Sequence, residues 1–85
     1  MNYKCDSWKN HGFSMANDLC VRVGRRIQAL RTERGWTQAM LADHAELARE
    51  HISELENGKK EIGLRALGRI ADALGMSLSK FFADV

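Results

Sequence analysis

From residue 17 onward, apolar side chains recur every three to four positions. Val23, Ile27 and Leu30 stand at i, i+4 and i+7, on one stripe of an amphipathic helix. Asn17 or Asp18 can cap its start, and Gly35 lies where it must stop. Thr37 caps a second, shorter helix whose inner face carries Leu41, Ala42 and Ala45. Residues 46–48 are a tight link. A third helix over about 49–57 turns Ile52 and Leu55 inward and ends at Gly58. After a loop at 59–63, the spacing of Leu64, Leu67, Ile70, Ala71 and Leu74 defines a fourth helix, closed by Gly75. Leu78, Phe81 and Phe82 suggest a short fifth. Five helices joined by links of a few residues predict an all-α fold. They form one compact bundle with crossed helices, not a long coiled coil.

Residues 1–16 lack this order. Tyr3, Trp8 and Phe13 are spaced by five, which fits neither helix nor strand. The expected division is therefore an N-terminal arm, 1–16, and a folded domain, 17–85. Three readings of the arm stay open: a disordered tail, a segment that docks on the domain or a partner, or an extension upstream of a second start at Met15.

Composition narrows the class. Eighty-five residues, 45% apolar and 28% charged with no proline, fit one small globular domain rather than a disordered chain. The net charge of +2 does not by itself indicate a nucleic-acid partner, but its distribution does. Residues 21–34 hold five Arg against Glu33, or +4. Residues 35–58 hold Arg49 against Asp43, Glu46, Glu50, Glu54 and Glu56, or −4. Residues 59–85 return to +2 through Lys59, Lys60, Arg65, Arg69 and Lys80 against Glu61, Asp72 and Asp84. Basic blocks on either side of an acidic middle suit a surface that grips phosphate at its edges.

Candidate chemistry is sparse. Two cysteines, Cys5 and Cys20, are too few for a disulfide scaffold, and there is neither a signal peptide nor a long apolar run; the expected setting is a reducing cytoplasm without a membrane. Cys5, His11 and Cys20 lack the paired spacing of a metal site. His51 stands between Glu50 and Glu54, but the order is not that of a zinc-binding helix, and His44 lies on another helix. No nucleophile has a neighbouring base, and no glycine-rich phosphate loop occurs. Neither catalytic residues, nor a metal, nor a cofactor, nor a small-molecule ligand is expected.

The stretch TQAMLADHAELAREHISELENG resembles the helix-turn-helix of the phage-repressor-like, Cro/Xre-type DNA-binding family. The similarity covers about Val23 to Phe82, through VGRRIQALR, GWTQAMLADHA, ISELENGKK and LRALGRIADALGMSLSKFF. It implies a lambda-repressor-like fold and double-stranded DNA as the partner. Two residues depart from the pattern. Glu46 stands where the family usually has a turn glycine, and Ala48 where a capping Ser or Thr is usual. Positive φ at Glu46 would cost about 1 kcal/mol, and a missing cap about 0.5–2 kcal/mol. The third helix is expected to start less firmly than in relatives.

At about 100° per residue, Ile52 and Leu55 set the inward direction of the third helix. Glu50, Ser53, Glu54 and Asn57 then face away, and Glu56 falls at the boundary. The resemblance places Arg49, Glu50, Ser53 and Glu54 at base-reading positions in the major groove. There a guanidinium can donate twice to guanine and a carboxylate can accept from the cytosine amino group. The same resemblance pairs Arg31 with Glu56, tying the first helix to the third. It assigns backbone contacts to Thr37, Gln38, Asn57, Lys59, Lys60 and Arg65.

Leu78, Phe81 and Phe82 are dense for a chain end. Phe82 with Leu78 is expected to close the core, and an isologous two-fold contact through the last helix is the preferred reading of the group as a whole; the alternative is a monomer with all three side chains in its core. A dimer sets two third helices about one DNA turn apart and so predicts an inverted-repeat operator. The expected function is a dimeric transcriptional regulator, possessing no sensing domain, that controls nearby genes including its own. Stand-alone regulators of this size resemble restriction–modification controllers, phage-type repressors and antitoxins, with controller the narrower expectation. The competing reading is a protein-interaction module or antitoxin whose acidic third helix binds a basic protein.

Overall fold

The computed structural model describes residues 15–85, with side chains described from residue 19 onward. Among the described residues, five helices follow one another: α1 (Met15–Glu33), α2 (Gln38–Ala45), α3 (Arg49–Glu56), α4 (Leu64–Ala73) and α5 (Leu78–Phe82). There is no strand among the described residues. The first helix starts at Met15, two residues before the expected cap at Asn17. The remainder of the proposed arm, including Tyr3, Cys5, Trp8, His11 and Phe13, lies outside the described residues.

The first four helices end in the same way. After each, one residue takes a left-handed backbone, and two N–H groups fold back onto the last-turn carbonyls. At α1 the pair is Gly35 N–H to Thr32 O and Trp36 N–H to Arg31 O. At α3 it is Gly58 to Leu55 and Lys59 to Glu54, and at α4 it is Gly75 to Asp72 and Met76 to Ala71. Three of these turns use glycine, with φ of 68–71°. The fourth, at the end of α2, uses Glu46 at φ 59°, ψ 44°, with Glu46 N–H to Asp43 O and Leu47 N–H to Ala42 O. This left-handed turn is made without a glycine, against the preference of a side chain with a Cβ.

The core is one cluster. Ile27 from α1, Leu41 from α2, Ile52 from α3, Ile70 from α4 and Phe81 from α5 are each fully enclosed. Here the expectation for the last helix is corrected. Phe81, not Phe82, closes the core: Phe81 is 0% exposed, whereas Leu78 and Phe82 remain 45% and 40% exposed. Neighbouring residues on a helix point about 100° apart, so only one of two adjacent phenylalanines can face inward, and α5 is rotated to bury the first. Phe82 meets Phe81 edge-on, with ring centroids 5.2 Å apart. Phe81 is therefore no part of an intersubunit surface.

Arg26 of α1 fixes α5 in that rotation. Arg26 Nε donates to Phe81 O at 2.8 Å and its Nη2 to Lys80 O at 3.3 Å, while its Nη1 lies 3.6 Å from Asp84. A cation thus sits at the carbonyl end of α5, where Lys80 O also accepts from Ala83 N–H and positive charge is favoured. Gly24 governs the other side of α1. A Cβ there would lie 2.3 Å from Leu55 O and 2.8 Å from Glu56 O, so α1 and the end of α3 approach closely only because residue 24 has no side chain.

Candidate nucleic-acid interface

The placement of α3 follows from its apolar pair. Ile52 and Leu55 are 0% and 3% exposed, and they anchor the helix against α1 and α2. The opposite side is uncovered. Arg49 and Glu50 are exposed, and Ser53 and Glu54 are half-exposed. The expected reading residues therefore share one outward face that no other part of the described chain buries.

Glu56 leaves that face altogether. It is the buried charged residue among those described, at 7% exposure. Arg31 Nε donates to its Oε2 at 2.6 Å and Nη2 to its Oε1 at 2.9 Å. Such a two-pronged guanidinium–carboxylate contact fixes both distance and angle between α1 and α3. Arg31 Nη1 donates to Trp36 O at 2.7 Å, which secures the entry to α2. The hydrogen bond to Glu56, reinforced by Coulomb attraction and opposed by burial, raises the Arg31 pKa above its ordinary value. Gln38 completes the group, its Nε2 donating to Glu56 Oε1 at 3.0 Å. The Gln38 amide, expected at a phosphate, is thus turned toward Glu56. No enclosed side-chain polar atom among the described residues lacks a partner.

The link between α2 and α3 carries both departures from the family pattern. Glu46 holds the left-handed turn, and Ala48 precedes α3 in extended backbone with no side-chain cap. A brace comes from α4, where Arg69 Nη1 donates to Glu46 O at 3.4 Å. Before α2, Thr37 Oγ1 accepts from Met40 N–H at 3.1 Å, so its hydroxyl is engaged as a cap. Trp36 stacks on His44 with centroids 4.4 Å apart and planes 12° from parallel, joining the two ends of α2.

The expected backbone-contact residues surround α3. Asn57 is exposed and bonds back through Nδ2 to Ser53 O at 2.9 Å, which holds it at the end of α3. Lys59 and Arg65 are exposed. Lys60 Nζ lies 3.2 Å from Glu54 Oε1, an ion pair that spacing alone did not announce. The Gln38–Glu56 bond, the Arg69 brace and the close approach at Gly24 were likewise missed. A glycine in mid-helix beside an apolar stripe was the one available signal, since its helix-weakening cost asks for a packing reason. No group of three or more metal-binding side chains exists among the described residues, and no described helix is long and apolar enough to cross a membrane.

The pairing of α2 and α3 across a three-residue turn defines a helix-turn-helix protein. Residues 27–81 match the helix-turn-helix family model, and the chain belongs to that family, in its Cro/Xre-type branch. Among its relatives, the control protein C.MunI of a Mycoplasma species is 36% identical over 70 residues, covering 81% of this chain and 95% of that protein. The crystal structure of the restriction–modification controller C.AhdI from Aeromonas hydrophila superposes with a TM-score of 0.72 at 30% identity, covering 74% of this chain and 96% of that one. The controller C.Esp1396I, crystallised as a tetramer with its natural 35-base-pair operator, gives a TM-score of 0.72 at 30% identity over 82% of this chain and 88% of that one.

Proposed function

We propose that this chain is a sequence-specific transcriptional regulator of the controller type, acting as a dimer on an inverted-repeat operator in the cytoplasm. The observation that carries the reading is the uncovered face of α3, where Arg49, Glu50, Ser53 and Glu54 stand together above an inward anchor of Ile52, Leu55 and the Arg31–Glu56 pair. Arg49 would donate to guanine, and the glutamates would accept from cytosine amino groups. The acidic face then costs affinity on every sequence and recovers it only where the bases match.

Phosphate contacts fall to the surroundings. The first turn of α2 offers backbone N–H groups of the kind that bind phosphate, positioned by Thr37 and by the Gln38–Glu56 bond. Asn57, Lys59, Lys60 and Arg65 supply the opposite edge. Dimerisation is supported by the apolar surface left on α5. Leu78 and Phe82 are accompanied by Leu19, 44% exposed, and Phe82 and Leu19 border a cleft of about 270 Å³ with Val23 and Ile62. The preferred occupant is the same surface of a second copy, since a tetramer of the related C.Esp1396I was crystallised on its operator. Coverage of nearly all of C.MunI and C.AhdI favours a small controller regulated by its own concentration, without a catalytic step.

The test is duplex binding across a salt series. A protein that neutralises several phosphates should lose affinity steeply between about 50 and 200 mM salt. Arg49→Ala should weaken binding to the preferred duplex by about 1–3 kcal/mol and relax the choice of base opposite it. Binding that is equal on all duplexes and unaffected by Arg49→Ala would refute the proposal.

A further inference from the structure

Glu50 and Glu54 lie one helical turn apart on the same face, yet their surroundings differ. Glu50 is in the first turn of α3, where the positive end of the helix dipole favours an anion. Glu54 is near the other end, where the dipole disfavours one. Its compensation comes from outside the helix. Gly58 at φ 68° reverses the chain, and Lys59 N–H returns to Glu54 O at 3.0 Å. The residue that follows, Lys60, is thereby carried back along α3, where its Nζ reaches Glu54 Oε1 at 3.2 Å. Both side chains are open to solvent, 59% and 41% exposed, so this pair contributes little to holding the fold. Its effect is on the reading face.

Resting on the base-reading assignment above, we propose that Lys60, besides lying at the phosphate edge, is a positioning residue for sequence choice that acts through Glu54. The ammonium engages Oε1 and leaves Oε2 to accept from the amino group of a cytosine in the groove. It also cancels the charge that would drive the carboxylate away from the phosphates on either side. Lys59, next to it in sequence and also exposed, pairs with no carboxylate among the described residues and serves as the control. Selectivity at the base pair facing Glu54 therefore depends on a lysine that touches no base.

The experiment measures affinity for the preferred operator and for copies in which the base pair facing Glu54 is exchanged. Wild type, Lys60→Gln, Lys60→Arg, Lys59→Gln and Glu54→Gln are compared over a salt series. Wild type should discriminate by about tenfold or more. Lys60→Gln should bring that ratio below about threefold, and Lys60→Arg should restore most of it. Lys59→Gln should weaken all duplexes alike and lower the salt slope by about one. In the Glu54→Gln background, adding Lys60→Gln should leave the ratio unchanged. If Lys60→Gln behaves as Lys59→Gln does while Glu54→Gln still abolishes discrimination, the positioning role is overturned and the base-reading assignment stands. If Glu54→Gln leaves discrimination intact, both fall.

Discussion

Exchanging Glu46 for glycine should make the protein more stable. The residue sits at φ 59°, ψ 44°, a region that costs a residue with a Cβ about 1–2 kcal/mol. Glycine avoids that cost but leaves a freer unfolded chain, which takes back about 0.4–1 kcal/mol. Every bond that shapes the turn uses main-chain atoms of residue 46: its N–H to Asp43 O, and its carbonyl to Arg69. The neighbouring bond from Leu47 to Ala42 is also main-chain. All three survive the exchange. The net gain is therefore about 0–1.6 kcal/mol, centred on ~0.8 kcal/mol, which in a domain of this size raises Tm by about 3–6 °C. Urea unfolding followed by far-UV circular dichroism checks it: the midpoint should rise with the slope unchanged. Glu46→Ala separates strain from charge, because alanine removes the carboxylate and keeps the Cβ. If alanine stabilises as much as glycine, repulsion within the acidic middle was the cause. If glycine destabilises, the strain account is wrong.

Gly24→Ala should destabilise by about 1–3 kcal/mol, because the new methyl meets the carbonyls of Leu55 and Glu56; it should also weaken duplex binding by tilting α3, measured on the folded fraction. Glu56→Ala strands Arg31, 11% exposed at its side chain, and should cost about 3–5 kcal/mol, a large share of the ~4–13 kcal/mol available to such a domain; denaturant midpoints will report it. Phe81→Ala should cost about 3–5 kcal/mol of folding stability, whereas Phe82→Ala should fold normally and shift sedimentation toward the monomer.

Periodicity located the five helices of the described residues because each has to bury a stripe, and stripes are written in the order of side chains. Glu46 and Ala48 were legible as departures since a turn type constrains its residue chemistry directly. What escaped were meetings between distant segments. Gly24 against Leu55, Arg69 against Glu46 and Gln38 against Glu56 depend on how helices cross, which no local spacing encodes. The choice between Phe81 and Phe82 for the core is hidden for a related reason. A five-residue helix gives too short a pattern to fix its rotation, and the Arg26 bonds that set it come from 55 residues away. The outward face of α3 was readable from the wheel, but the Lys60–Glu54 pair required the reversal at Gly58.

Sequencing the duplexes that the purified protein retains from a random pool at about 100 mM salt tests the central claim most directly. Two half-sites in inverted orientation, centred about one helical turn apart, are predicted, with guanine and cytosine at positions whose preference shifts in Arg49→Ala, Glu50→Gln and Glu54→Gln. A pool that emerges without sequence preference, alongside a basic protein that binds the same face of α3, would contradict it.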